Sequence, residues 1–263
     1  MCRWAAYIGP EVFLEDILCT PEHSLIHQSL SASECKTATN GDGFGVAWYG
    51  TRDEPGIFRD TLPAWSDGNL RSIARQVRSR LFLGHVRAST GTATSRDNCH
   101  PFAVGRWSFM HNGQVGGYDQ MRRDADMLIP RELYHHRRGT SDSEALFLAA
   151  LGDGLDTDPL GALERTAATF EELARSTGQR PHLRLSACLS DGARLIALRH
   201  ASDDRAPTVY YRWLEAGGWA VVSEPYDADL DGWTVLEPGQ MMTLNGGPPR
   251  FHTFRPNAAR PAA

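Results

Sequence analysis

Lysine is nearly missing from this chain. Lys36 is the only one in 263 residues, and the other fixed cations are arginines. The net charge is −5, so the chain has no basic excess of the kind that neutralises nucleic-acid phosphates. Cysteine is sparse and scattered, at Cys2, Cys19, Cys35, Cys99 and Cys188. No CxxC pair occurs, which excludes zinc-ribbon and dithiol redox motifs. The cysteine count is odd and no signal peptide precedes it. The apolar run from Trp4 to Ile8 is far too short for a signal h-region or a membrane span. These absences predict a reduced, cytoplasmic protein that binds neither nucleic acid nor membrane. A P-loop is also lacking, because no Gly-Lys-Ser/Thr follows the glycines of residues 40–45. What is present is ordinary globular material, with 41% hydrophobic and 22% charged residues, enough to bury a core without staples.

Strand signals open and close the chain. Residues 2–9 read as a strand buried on both faces and ended by Gly9-Pro10. Residues 11–19 suit a short helix, and His23 to Ala32 leads into a loop. Asn40 to Gly50 reads as a glycine-rich turn feeding a strand, and Ile57 to Trp65 as another strand. A helix is expected over Leu70 to Arg80, with Arg71, Arg75 and Arg78 on a solvated face. Leu81 to Ala88 reads as a strand, as does Trp107 to His111, which ends in Asn112-Gly113. Ser141-Asp142-Ser143-Glu144 opens a helix, with Ser or Asp as N-cap. Pro159 to Gly178 is the longest helical signal. Strands follow at Leu183–Leu189, Arg194–Arg199, Val209–Trp213 and Trp219–Ser223, then a hairpin over Trp233–Leu244 and Arg250–Phe254. No repeat or linker interrupts the chain. The expectation is an α+β fold with residues 1–255 as a single domain and 256–263 as a frayed tail.

The chemistry centres on Cys2. Removal of Met1 would give one residue both a thiol and an α-amine, and the amine's ordinary pKa of about 7.7–8 suits it as general base. An amide-attacking thiol needs oxyanion donors. The Asn112 side chain and the Gly113 N–H could supply two, although Asn-Gly is also a strong hairpin-turn signal. Arg87, at a buried strand end, could fork onto a substrate carboxylate or form a structural ion pair. Asp142 could accept from an ammonium or simply cap a helix. Together, Arg87 and Asp142 would recognise the zwitterionic end of an amino acid. Thr90, Gly91, His100 and Pro101 could line the same pocket. His85 and His111 read as core or hydrogen-bonded histidines. A metal site at Cys99-His100 lacks a second ligand pair at suitable spacing.

Met-Cys-Arg, Asn-Gly-Asp-Gly-Phe-Gly, Gly-His-Val-Arg-Ala-Ser-Thr, His-Pro-Phe, His-Asn-Gly and Ser-Asp-Ser-Glu occur in that order. In this the chain resembles the class II glutamine amidotransferase family over about residues 2–255. Cys-Arg-Trp-Ala-Ala-Tyr, His-Ser-Leu-Ile and Ser-Glu-Pro-Tyr resemble its stand-alone branch, which includes γ-glutamyl amide and peptide hydrolases and ergothioneine-pathway members. The resemblance implies the N-terminal-nucleophile fold, a four-layer αββα sandwich of two mainly antiparallel sheets. It implies Cys2 as nucleophile, Asn112 and Gly113 as oxyanion hole, Arg87 for the α-carboxylate and Asp142 for the α-amine, with Thr90 as a further pocket position. Asn40 stands where the larger members carry an Arg-Gly-Tyr-Asp loop, and is the residue chosen to steady the Cys2 amine, with His100 as a further support. The implied reaction is hydrolysis of a γ-glutamyl amide through a thioester, with no cofactor and no metal. Two alternatives stand beside it. The chain could pass ammonia to a separate synthase subunit, or persist as a non-catalytic binding module. The leaving group and the oligomeric state stay open.

Overall fold

The first strand is apolar on both faces because both are covered. In β1 (Arg3–Phe13), Trp4, Ala6 and Ile8 point into one core while Ala5 and Tyr7 point into another, as the two-residue period of a strand requires. The computed structural model describes residues 2–31, 39–89, 93–227 and 230–256. The other strands are β2 (Phe44–Trp48), β3 (Gly56–Asp60), β4 (Arg78–Val86), β5 (Phe102–Val104), β6 (Trp107–Val115) and β7 (Leu183–Ser190). They are followed by β8 (Leu195–Ala201), β9 (Tyr210–Trp213), β10 (Trp219–Val222), β11 (Thr234–Val235), β12 (Gln240–Leu244) and β13 (Arg250–Thr253). One sheet has seven strands in the order β11-β9-β10-β1-β4-β2-β3, and the other has six in the order β13-β12-β8-β7-β6-β5. Every pairing in both is antiparallel.

Three cores separate four layers. The first sheet is backed by α1 (Leu14–Leu18), α2 (Leu25–Leu30) and α3 (Gly68–Gln76), with Leu14, Leu18, Leu25 and Leu70 packed on Tyr7, Phe44 and Phe82. The second is backed by α4 (Tyr118–Met127), α5 (Asp142–Gly152) and α6 (Pro159–Ser176), with Phe147 and Phe170 packed near Phe109. Between the sheets lie Trp4, Leu81, Leu83, Met110, Leu195 and Met242. Burying each aliphatic side chain there contributes about 1.5–3 kcal/mol. Helix α5 is apolar nearly all round, because it is sandwiched rather than set at the surface.

Several boundaries differ from the sequence expectation. β1 runs through Gly9-Pro10 instead of stopping there. The register against β4 shifts between Ile8 and Val12, so Pro10, which has no N–H to donate, sits in the irregular stretch. At Gly9 a Cβ would lie 2.5 Å from the Gly218 Cα, so that close approach requires glycine. Helix α3 stops at Gln76, and Arg78 already belongs to β4. α2, capped by Ser24 through His27 N–H, and α4 were not anticipated. β12 and β13 form the expected hairpin, but β11 joins the other sheet. Among the described residues no helix is long and apolar enough to cross a membrane.

Candidate active site

The register of β1 on β4 brings Cys2 and Arg87 together. β1 pairs with β4 as Arg3 with Val86 and Trp4 with His85, so the same register, continued by one residue, sets Cys2 opposite Arg87. The even positions of β1 and the odd positions of β4 face the other sheet, as Trp4 and Leu83 do, and Cys2 and Arg87 share that parity. Cys2 is half-buried, with its Sγ 3.6 Å from the Ala88 carbonyl oxygen. On the far side of β4, the Arg87 N–H donates to the Gly43 carbonyl at 2.8 Å. The Arg87 guanidinium is buried. Its Nη1 donates to the Asp42 carbonyl at 3.2 Å, and its Nη2 to Ser89 Oγ at 3.2 Å and the Ala93 carbonyl at 3.3 Å. The Asp42 carboxylate in turn accepts from the Ser89 N–H at 2.7 Å.

A clamp missed in the sequence pins the residue after Cys2. Arg3 is buried and its Nε donates to Glu224 Oε2 at 2.5 Å, while its Nη1 donates to the Cys2 carbonyl at 3.0 Å. Trp4 adds two anchors. Its N–H donates to Ser223 Oγ at 2.9 Å and its indole Nε1–H to Ser186 Oγ at 3.1 Å. Ser186 is the cross-strand partner of Asn112, so the Trp4 indole bridges the two sheets beside the predicted oxyanion donors. The only sequence signal for the clamp was Ser-Glu-Pro-Tyr, which carried the family resemblance without a role.

Asn112 and Gly113 lie inside β6, paired with Ser186 and Leu185, and form neither a strand end nor a hairpin turn. Asn112 has the parity of Met110, which faces the inter-sheet core, and is buried. Gly113 has φ +155°, and a Cβ there would lie 1.9 Å from the Arg184 carbonyl oxygen. Only glycine fits. Asp142 is the first residue of α5, and Ser141 is the N-cap. Its Oδ2 accepts from the Val115 N–H at 2.9 Å, tying the helix start to the end of β6, and its Oδ1 accepts from the Ser143 N–H at 2.8 Å. His111 lies 2.9 Å from Ser143 Oγ through Nδ1 and 3.0 Å from the Arg184 carbonyl through Nε2. Burial lowers its pKa against the opposing pull of Asp142. The imidazole is therefore neutral near pH 7, and its Nε2–H donates to the carbonyl.

His85 and His100 form a buried pair with tilted rings, centroids 4.2 Å apart, and His100 also meets Phe102 edge-on at 4.6 Å. None of their ring nitrogens has a hydrogen-bond partner among the described residues. Burial, reinforced by the Arg87 charge, pushes His85 down to about 3, although the His111 backbone lies near enough to oppose the shift. His100 is driven well below its ordinary value by burial and by the neighbouring His85. Both rings are neutral. Asn40 is fully buried. Its Nδ2 donates to the Gln28 carbonyl at 3.1 Å, and its Oδ1 has no hydrogen-bond partner among the described residues. Gln28 reaches the Glu224 carbonyl at 3.3 Å, which connects Asn40 to the clamp on Arg3. Thr90 and Gly91 lie outside the described residues. The thiols of Cys19 and Cys99 are each pushed up to about 11 by burial, and burial also raises that of Cys188 well above its ordinary value, so none of the three is a ready thiolate.

The family model described as "Glutamine amidotransferases class-II" matches residues 19–211. The chain belongs to the class-II glutamine amidotransferases. It is 38% identical over 171 residues to "Probable glutamine amidotransferase DUG3" of Saccharomyces cerevisiae, a match spanning 60% of this chain and 48% of the yeast protein, about half its length. It is 30% identical over 241 residues to "Gamma-glutamyl-hercynylcysteine sulfoxide hydrolase" of Mycolicibacterium smegmatis, covering 90% of this chain and 92% of that relative. Among solved structures, a glutamine aminotransferase class-II domain protein from Silicibacter pomeroyi superposes with TM-score 0.79 at 48% identity, covering 97% of this chain and all of the other. The glutamine phosphoribosylpyrophosphate amidotransferase of B. subtilis shares the fold alone, with TM-score 0.66 at 16% identity over 98% of this chain and 50% of that one. The layered arrangement of this amidotransferase chain is the αββα sandwich of the N-terminal-nucleophile amidotransferases.

Proposed function

We propose that this chain, once Met1 is removed, hydrolyses a γ-glutamyl amide bond through a thioester on Cys2. The observation that carries the reading is the register setting Cys2 opposite the buried Arg87. The Arg87 guanidinium receives the substrate α-carboxylate and Asp142 its α-ammonium, which holds the γ-carbonyl at the sulfur. The Cys2 α-amine takes the thiol proton and the thiolate attacks the γ-carbon. The Asn112 side-chain N–H and the Gly113 N–H hold the oxyanion. Collapse breaks the C–N bond, and the Cys2 ammonium protonates the departing amine or ammonia. Water, activated by the same amine, then opens the thioester and releases glutamate. Asn40, through its buried Oδ1, is our choice to steady the ammonium, with His100 and Thr90 lining the pocket.

A γ-glutamyl substrate is favoured because the mycobacterial relative, matched over 92% of its length, is named for one. The second reading is a glutaminase that hands ammonia to another subunit. It is supported by the yeast amidotransferase, of which this chain spans 48%. We further assign residues 1–255 to one catalytic domain and the protein to a reducing compartment, consistent with the free thiols of Cys19, Cys99 and Cys188. Intact mass before and after incubation with a diazo-ketone glutamine analogue tests the mechanism. Loss of Met1 and one adduct on Cys2 are expected. A retained Met1 with no adduct would sink it in favour of a binding module.

A further inference from the structure

We propose that a cleft at the edge of the second sheet, walled by Arg59, His136 and Arg138, binds an oxyanion: the carboxylate on the leaving half of a γ-glutamyl peptide, or a free phosphate-like anion. The first of these sources rests on the γ-glutamyl reading. The cleft has a volume of about 170 Å³, with Phe102 and Phe147 in its apolar wall. It lies where β5, the edge of the second sheet, meets the start of α5.

The charges in the cleft do not cancel. Its one carboxylate, Glu144, is already satisfied. Glu144 Oε2 accepts from Arg137 Nη1 at 2.6 Å and the Gly139 N–H at 2.8 Å, and Oε1 accepts from the Arg138 N–H at 3.0 Å. The Arg59 guanidinium donates to the Cys99 carbonyl at 3.1 Å, a neutral partner. The Arg138 guanidinium has no hydrogen bond or ion pair to a described residue. Two fixed positive charges are therefore left over a small polar opening, and such pairs of guanidinium groups bind carboxylate and phosphate oxygens well. His136 supplies a third donor. Its proton affinity is lowered by burial and then by the charges of His135 and Arg138, and an arriving anion would offset the effect of both charges.

The walls of the cleft are tied by hydrogen bonds to the segments that carry Arg87 and His100. Arg59 holds the carbonyl of Cys99, whose neighbour His100 packs against His85. The loop carrying Arg138 is fixed by Glu144 and by Asn98, whose Oδ1 accepts from the Thr140 N–H at 2.7 Å. Asn98 Nδ2 donates to the Ala93 carbonyl at 2.9 Å, the same oxygen that Arg87 Nη2 uses. At Gly139 a Cβ would lie 2.4 Å from Asn98 Oδ1, so glycine permits the close seat of the loop.

The test compares the full-length protein with Arg59→Gln, Arg138→Gln and the double variant. Two readouts are taken: the thermal midpoint against inorganic phosphate, and steady-state kinetics on γ-glutamylglycine and γ-glutamyl-p-nitroanilide. The first substrate has a carboxylate on its leaving half and the second has none. A KM for γ-glutamylglycine raised about tenfold in the double variant, with the anilide within twofold, assigns the cleft to the leaving-half carboxylate. Unchanged kinetics, with phosphate raising the midpoint of the parent but not of the double variant, assigns it to a free anion. Phosphate that affects parent and variant alike, together with unchanged kinetics, overturns the proposal. The phosphate readout needs no turnover, so a failure of the γ-glutamyl reading leaves the anion site testable. Arg138→Gln removes a side chain bonded to no described residue and guards against a simple folding defect.

Discussion

At the scale of single residues, the site depends on what each backbone position allows. Cys2→Ala should abolish turnover while leaving the melting curve within a degree of the parent, because the half-buried thiol packs in no core cluster. Residual activity in a clean preparation would remove Cys2 from the mechanism. Arg87→Lys should raise KM at least tenfold, since an ammonium cannot fork onto a carboxylate; an unchanged KM would put Arg87 outside the substrate pocket. Gly113→Ala should cost at least about 3 kcal/mol or prevent folding, because its Cβ would sit 1.9 Å from a carbonyl oxygen of the neighbouring strand. A denaturation curve close to the parent's would contradict that geometry. His85 adds a pH dependence. In the unfolded chain it takes a proton near its ordinary 6.5, whereas in the fold it resists until about pH 3. Between those values the unfolded state binds more protons, so stability falls as pH drops, by about 1.4 kcal/mol per unit from this group. Urea midpoints at pH 7 and pH 5 should differ less in His85→Gln than in the parent. An identical difference would locate the effect elsewhere.

At the scale of elements, the candidate site residues were legible and their settings were not. Cys2, Arg87, Asn112, Gly113 and Asp142 could be named as candidates because each reading is local: a residue type beside an expected strand end or helix start. That Asn112-Gly113 continues a strand could not be read, because Asn-Gly favours a turn in isolation and the Leu185 partner lies 72 positions along the chain. The pairing of His85 with His100 was equally opaque, since each sits in its own segment and only tertiary packing joins them. The same holds for Arg137, whose guanidinium links α4 through Asp126 at 2.9 Å and Tyr118 at 2.7 Å to α5 through Glu144 at 2.6 Å. Replacing it with Met leaves Glu144 buried without its cation. The expected cost is about 3–5 kcal/mol by chemical denaturation. Because Glu144 also fixes the loop that leads to Asp142, the KM for substrate should rise with it. A variant as stable as the parent would mean that the pair contributes no net stability.

At the scale of the whole molecule, the αββα order was accessible from pattern and resemblance together, while the partition of strands between sheets was not. Strands with similar apolar content went to different sheets, as β11 and β12 did, because pairing is decided by partners far away in sequence. The position of β1 has a consequence for how the protein is made. Its flanking partners are β4 on one side and β10 on the other, and the Arg3 to Glu224 clamp closes a loop of 221 residues. Ribosomes deliver β1 long before β10, so a nascent chain carries this strand with one edge uncovered until nearly all of the fold has emerged. The removal of Met1 that the proposed mechanism requires would have that whole interval in which to act. The Cys2 thiol meets its completed surroundings only afterwards, so synthesis itself sets the order in which that thiol is first exposed and then enclosed.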